Sequence, residues 1–163
     1  MYYLTFIILI ALDQLSKIFA LKLLKNNTSI QILGDWFKLS YVENKGAAFG
    51  QFSGHVIILI PVTFIFLIFL IYACKVSKNF IEKTGFFLII CGAIGNLIDR
   101  IFNGFVIDFL DFDFIDIKSE VLKIQMDRWP VFNLADSYIC IGACMVLIAI
   151  IFLTGKNLKR SKK

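Results

Sequence analysis

The sequence predicts an all-α membrane protein with four transmembrane helices, on three observations. Of 163 residues, 59% are hydrophobic and 18% are charged, whereas an ordinary soluble domain is roughly half apolar and about a quarter charged. The mean hydropathy is +0.81, and a soluble fold of this size cannot hide that much apolar surface. The apolar residues also fall into four runs, each close to the about 20 residues a membrane span needs. Disorder is excluded, since it requires low hydrophobicity. One polytopic membrane domain over residues 1–163 is expected.

The first span runs from roughly Tyr2 to Leu24, interrupted by Asp13 and Lys17. It has no Lys or Arg before its apolar core and no small-x-small cleavage site, so it reads as a retained helix. The loop that follows, about 25–55, alternates partly from Gln31 to Val42, with Phe37, Leu39 and Tyr41 on one side. The second span, Val56 to Cys74, carries no charge, and its Pro61 lies near the start, where a helix tolerates it. The third runs from roughly Thr84 to Phe102 and ends in Asp99-Arg100. In the loop of about 103–130, Leu110 to Ile117 alternates, with Asp111 and Asp113 opposite Phe112 and Phe114. Period two predicts half-buried strands in both loops. The fourth span, roughly Val131 to Gly155, has Asp136 near its start and Pro130 just ahead. Trp36 and Trp129 suit the interfacial belt.

Lys and Arg set the expected orientation. The short loop between spans two and three holds Lys75, Lys78 and Lys83, and the tail adds Lys156, Lys159, Arg160, Lys162 and Lys163. The loop after span three is acid-rich, with Asp108, Asp111, Asp113, Asp116, Glu120 and Asp127. Both termini are therefore expected in the cytoplasm and both long loops outside. The net charge of +5 marks span ends rather than a nucleic-acid surface, because no basic patch is interleaved with aromatics. Cys74, Cys91, Cys140 and Cys144 lie in or beside apolar runs and read as small apolar filler. No His lies near Cys140 and Cys144, which share a helix face, and His55 stands alone, so neither a zinc site nor a disulfide framework is expected.

Ionisable groups inside a membrane are expensive, so each is a functional suspect. Asp13 and Lys17 are spaced i and i+4, in the order that favours an ion pair. Asn96 and Arg100 are also i and i+4, and Asn133 and Asp136 are i and i+3. In the expected topology all three pairs reach the outer end of the bundle. Asp108 and the segment Asn44-Lys45-Gly46-Ala47-Ala48-Phe49-Gly50 join them. Two carboxylates facing each other in low dielectric share a proton, and such a pair hydrolyses a peptide bond with water alone. Asp136 is the stronger candidate by position. The second carboxylate is left open among Asp13, Asp99, Asp108, Asp111 and Asp113. The plainer alternative for any one of them is an ion pair that holds helices together.

These residues fall into motifs. Asp13-Gln14-Leu15-Ser16-Lys17 fits D-Q-x-x-K, and Asn44 to Gly50 fits N-x-G-A-A-F-G. Gly92 to Arg100 fits G-A-x-G-N-x-x-D-R, Val106 to Phe109 fits V-x-D-F, and Phe132 to Ser137 fits F-N-x-A-D-S. Five motifs in this order, on four spans, resemble the lipoprotein signal peptidases (signal peptidase II), bacterial membrane aspartic peptidases. The resemblance implies four membrane helices with a small extracytoplasmic platform of sheet and helix. It implies Asp108 and Asp136 as the catalytic pair. It further implies Asn96, Arg100 and Asn133 lining the site, and Asp13, Lys17, Asn44 and Gly46 supporting it or contacting substrate. The implied substrate is a prolipoprotein, cut before a cysteine that carries a diacylglyceryl group. Prolipoprotein and membrane lipid are then the partners, with no metal or organic cofactor, and a monomer is expected. The segment from Asp108 to Asp136 is longer than the resemblance implies and holds an extra charged stretch, Asp111 to Arg128.

Two rivals come from other classes. A small proton-coupled transporter or membrane-complex subunit also buries Asp, Arg and Asn, but usually near the midplane between repeats, and no repeat is visible. A serine intramembrane protease would use Ser137, but the one histidine, His55, stands at a different span.

Overall fold

The computed structural model describes residues 2–26, 29–46, 56–113, 117–119, 124–126 and 128–161. Four long helices dominate: α1 (Tyr2–Leu24), α2 (Val56–Val76), α3 (Phe80–Phe102) and α4 (Leu134–Ser161). All four contain a stretch long and apolar enough to cross a membrane. The other elements are strands: β1 (Ile30–Leu33), β2 (Phe37–Asn44), β3 (Val106–Phe112), β4 (Ile117–Ser119) and β5 (Ile124–Met126). The chain is thus a multi-pass membrane protein carrying a small sheet.

The helix ends follow capping chemistry. α3 begins four residues before Thr84 because the Asn79 side chain accepts hydrogen bonds from the Ile81 and Glu82 amides. α4 begins at Leu134 rather than Val131. There Asn133 and Asp136 cap each other: Asn133 Oδ1 accepts from the Asp136 amide at 3.0 Å, and Asp136 Oδ2 accepts from the Asn133 amide at 3.2 Å.

α3 is the central helix. It buries Gly85, Ile89, Gly92, Ala93, Gly95 and Leu97, among others. Its glycines let α4 come close: a Cβ on Gly85 would stand 2.6 Å from the Gly142 carbonyl oxygen, and one on Gly142 would stand 2.5 Å from that of Gly85. Small residues at this seam are how helices associate in lipid, where apolar burial supplies no driving force. α2 buries only Leu67 and Leu70, both against the α3 core. The outer faces of α1 and α2 are apolar and exposed, as at Phe19, Ile57, Phe64 and Phe69, which suits a lipid solvent.

The sheet has strand order β1-β2-β3, antiparallel throughout, and β4 pairs with β5 separately. The alternating run from Gln31 to Val42 is two strands, not one: it folds back at Gly34, whose φ of 55° is a left-handed turn conformation. β3 starts at Val106, ahead of the expected alternation, because Gly104 (φ 76°) reverses the chain directly after α3. The register pairs Val42 with Asp108 and Asn44 with Val106, past a bulge between Leu39 and Val42. On the other side of β3, Leu110 and Phe132 exchange backbone hydrogen bonds of 2.8 and 3.1 Å. This bridge lays the residues preceding α4 alongside β3. His55, Ala47 to Gly50, Phe114, Asp116, Glu120 and Asp127 lie outside the described residues.

Candidate active site

The polar residues of α1, α3, β2, β3 and the start of α4 meet at the end of the bundle that carries the sheet. Asp108 stands on β3, 2% exposed, with one donor on each carboxylate oxygen. Asn133 Nδ2 donates to Oδ1 at 2.6 Å, and Asn44 Nδ2 donates to Oδ2 at 3.0 Å. Asp136 stands in the first turn of α4. Its Oδ1 accepts from Asn96 Nδ2 at 2.8 Å, and its Oδ2 from the Asn133 amide. Asn133 therefore touches both carboxylates, by its side-chain amide on one side and its backbone on the other. It also donates to Asn96 Oδ1 at 3.2 Å.

The other carboxylates left open by the sequence are engaged elsewhere. Asp13 and Asp99 hold Lys17, with Nζ at 2.9 Å from Asp13 Oδ2 and 3.0 Å from Asp99 Oδ2. Asp111 and Asp113 hold Arg128 at 3.0 and 2.8 Å. Ser40 adds a bond to Asp111, and Arg128 also reaches the Asp35 carbonyl. Arg128 thus ties the end of the extra charged stretch to β3 and to the β1–β2 turn. Of the candidates, Asp108 alone shares a bridging residue with Asp136 among the described residues.

Burial first, and then the charge of nearby Asp136, push the Asp108 carboxyl up to about 7. The hydrogen bonds from Asn44 and Asn133 and the charge of Lys17 oppose this. Asp108 therefore keeps its proton to near neutrality.

Gly46 and Arg100 close another side. Asn44 Oδ1 accepts from the Gly46 amide at 2.9 Å, and Arg100 Nη2 donates to the Gly46 carbonyl at 3.1 Å. Arg100 Nε is buried without a hydrogen-bond partner among the described residues.

Gln14, inside the first motif, also belongs to the site. Its Nε2 reaches Asp13 Oδ2, the Gly95 carbonyl and Asp99 Oδ1 at 3.1 to 3.2 Å. The signal was an amide next to an acid in an otherwise apolar span. The roles of the Ala135 and Ile107 amides, which donate to Asp13 Oδ1 and Asp99 Oδ2, left no trace in residue types.

The family model described as "Signal peptidase (SPase) II" matches residues 5–152. A lipoprotein signal peptidase of Clostridioides difficile (strain 630) is 39% identical over 159 residues, which cover 96% of this chain and 99% of that one. Another, of Halothermothrix orenii, is 41% identical over 151 residues, covering 91% and 93%. A solved bacterial membrane enzyme structure, at 2.3 Å resolution, superposes with a TM-score of 0.80 at 28% identity, covering 95% of this chain and 90% of that chain. From the match along nearly its whole length, the chain belongs to the signal peptidase II family.

Proposed function

We propose that this chain, a single polytopic domain acting as a monomer, is an aspartic endopeptidase. Its reaction removes the signal peptide from a prolipoprotein by cleavage before a diacylglyceryl-modified cysteine. The observation that carries the reading is Asn133 bridging Asp108 and Asp136, two buried or half-buried carboxyls on different elements.

The pair shares one proton. The ionised carboxylate takes a proton from water, whose oxygen bonds to the scissile carbonyl carbon, while the protonated carboxyl gives its proton to the carbonyl oxygen. The tetrahedral intermediate then collapses. The C–N bond breaks, the leaving nitrogen takes the proton held by the pair, a hydroxyl of the intermediate returns one proton to the pair as the carbonyl reforms, and the products are a peptide acid and the free amine of the lipidated cysteine. Asn96, Asn133 and Asn44 hold the two carboxylates by their donors. Arg100 Nε, without a partner among the described residues, is placed to donate to a substrate carbonyl.

The substrate class fits the location. Lys75, Lys78 and Lys83 between α2 and α3, and the basic tail, favour a cytoplasmic side there. The site then faces outward, where a diacylglyceryl group in the outer leaflet holds the scissile bond. Apolar helix faces receive the acyl chains, and each CH₂ buried stabilises by about 0.8 kcal/mol.

The test uses purified protein in detergent with one prolipoprotein in two forms, with and without the diacylglyceryl group. Cleavage of the lipidated form alone, unaffected by EDTA, is expected. Inhibition by EDTA that zinc restores would overturn the metal-free mechanism. Well-folded protein that cleaves neither form would overturn the reading, and proton-driven transport in liposomes would then be measured.

A further inference from the structure

Lys17 is 1% exposed and lies in the C-terminal half of α1. Its ammonium has three partners: Asp13 at 2.9 Å, Asp99 at 3.0 Å and Asn96 Oδ1 at 3.0 Å. An ammonium has three protons, so the site is filled. Each of the three partners in turn grips a piece of the carboxylate pair.

Asp13 Oδ1 accepts from the Ala135 amide at 2.9 Å, one residue before Asp136. Asp99 Oδ2 accepts from the Ile107 amide at 3.2 Å, one residue before Asp108. Asn96 takes Lys17 and Asn133 on its oxygen, which leaves its Nδ2 to donate to Asp136. With two donors on the oxygen, the amide cannot turn over without losing both bonds and placing an oxygen against Asp136. Gln14 adds a second clasp between Asp13 and Asp99.

We propose that Lys17 is a positioning residue: through Asp13, Asp99 and Asn96 it sets the separation and hydrogen bonding of Asp108 and Asp136. It touches neither carboxylate itself. The proposal rests on the aspartic-dyad reading above. A plain helix-to-helix ion pair would need one carboxylate on a neighbouring helix; it would not need two that each hold the amide preceding a member of the pair.

The experiment measures kcat and KM on the lipidated prolipoprotein, together with melting temperature, at a temperature well below melting. Lys17→Met is expected to lower kcat about 100-fold while KM stays within about threefold, the size of effect that a displacement of about 1 Å produces. Gln14→Met keeps every charge paired and is the variant to use if Lys17→Met fails to accumulate. It is expected to lower kcat about tenfold, again at constant KM. A folded variant with wild-type kcat and only a lower melting temperature would overturn the positioning role. A rise in KM at constant kcat would overturn it equally. Asp108→Asn and Asp136→Asn run in parallel: if either turns over normally, it is the dyad reading that fails, and the loss in Lys17→Met then has another origin.

Discussion

Asn133 Nδ2 stands 2.6 Å from Asp108 Oδ1, and the same residue caps the helix whose first turn carries Asp136. One side chain thus fixes a strand carboxylate and a helix carboxylate relative to each other. Asn133 is fully buried, so the bond is shielded from competing water. Asn133→Ala is expected to lower kcat about 100-fold and, by removing the cap, to lower stability by about 1 kcal/mol. Steady-state kinetics and thermal melting check the two effects separately.

Asp108→Asn and Asp136→Asn keep the shape of each carboxyl and remove its proton chemistry. Each is expected to lower kcat about 1,000-fold, in the range that positioned acids and bases contribute. The variants should still insert and elute as the wild type does by size exclusion. Turnover of either near the wild-type rate would remove that residue from the mechanism.

The pH profile carries the mark of Asp108. Its carboxyl is pushed up to about 7 from an ordinary 3.8, so Asp108 loses its proton as pH rises through about 7. kcat/KM is expected to fall on the alkaline side of that value, since this ratio reports the free enzyme. The stability that a protonated Asp108 contributes runs the same way. It is fully present below pH 3.8 and is lost as pH rises through about 7. Asn44 opposes the upward shift by donating to the carboxylate, so Asn44→Ala should move the alkaline limb to higher pH. A limb that stays in place in this variant would contradict the assignment.

Gly92 is packed against the start of α4. A Cβ there would meet the Ala135 carbonyl oxygen well inside contact distance. Gly92→Ala is expected to cost about 1–3 kcal/mol of stability by overpacking. It should also lower kcat, because Ala135 adjoins Asp136. Gly104→Ala is the contrast. Nothing lies within 4 Å of a Cβ there, but φ is 76°, so the loss is about 1 kcal/mol of backbone strain with kcat unchanged. Thermal melting and kinetics of the two variants distinguish crowding at the site from strain away from it.

Arg128 lies in a half-exposed network, its side chain 31% exposed beside Asp111 and Asp113. Arg128→Ala is expected to destabilise by no more than about 1 kcal/mol, and by less at high salt, as partly exposed ion pairs do. Melting curves at two ionic strengths test this.

The four spans were legible because membrane length and apolarity leave few alternatives, and the ion pair of Asp13 and Lys17 was legible from helical spacing. Helix starts were displaced where a single polar residue decides the boundary: Asn79 extended α3 backwards and Asn133 delayed α4. The strand reversal at Gly34 was hidden because alternation continues on both sides of the turn. Residue spacing left the partner of Asp136 open, since Asp13, Asp99, Asp108, Asp111 and Asp113 all lie near the same depth. Asp13 and Asp99 meet Lys17, and Asp111 and Asp113 meet Arg128, whereas Asp108 meets the side-chain amides of Asn44 and Asn133; these are contacts between elements distant in sequence.

The i, i+4 spacing of Asp13 and Lys17 also matters before the fold exists. α1 is synthesised before α3 and α4, and a lone ammonium in a span is costly to insert. Lys17 already has a counter-ion one turn away on its own helix, 2.9 Å distant in the finished protein. The Asp13–Lys17 stretch of the nascent helix can therefore enter the bilayer as a neutral pair. Asp99 and Asn96 arrive later and convert a private pair into a bond between helices. Moving the acid to the opposite face of α1 would thus impair insertion of the first helix, a defect separate from any effect on the completed enzyme.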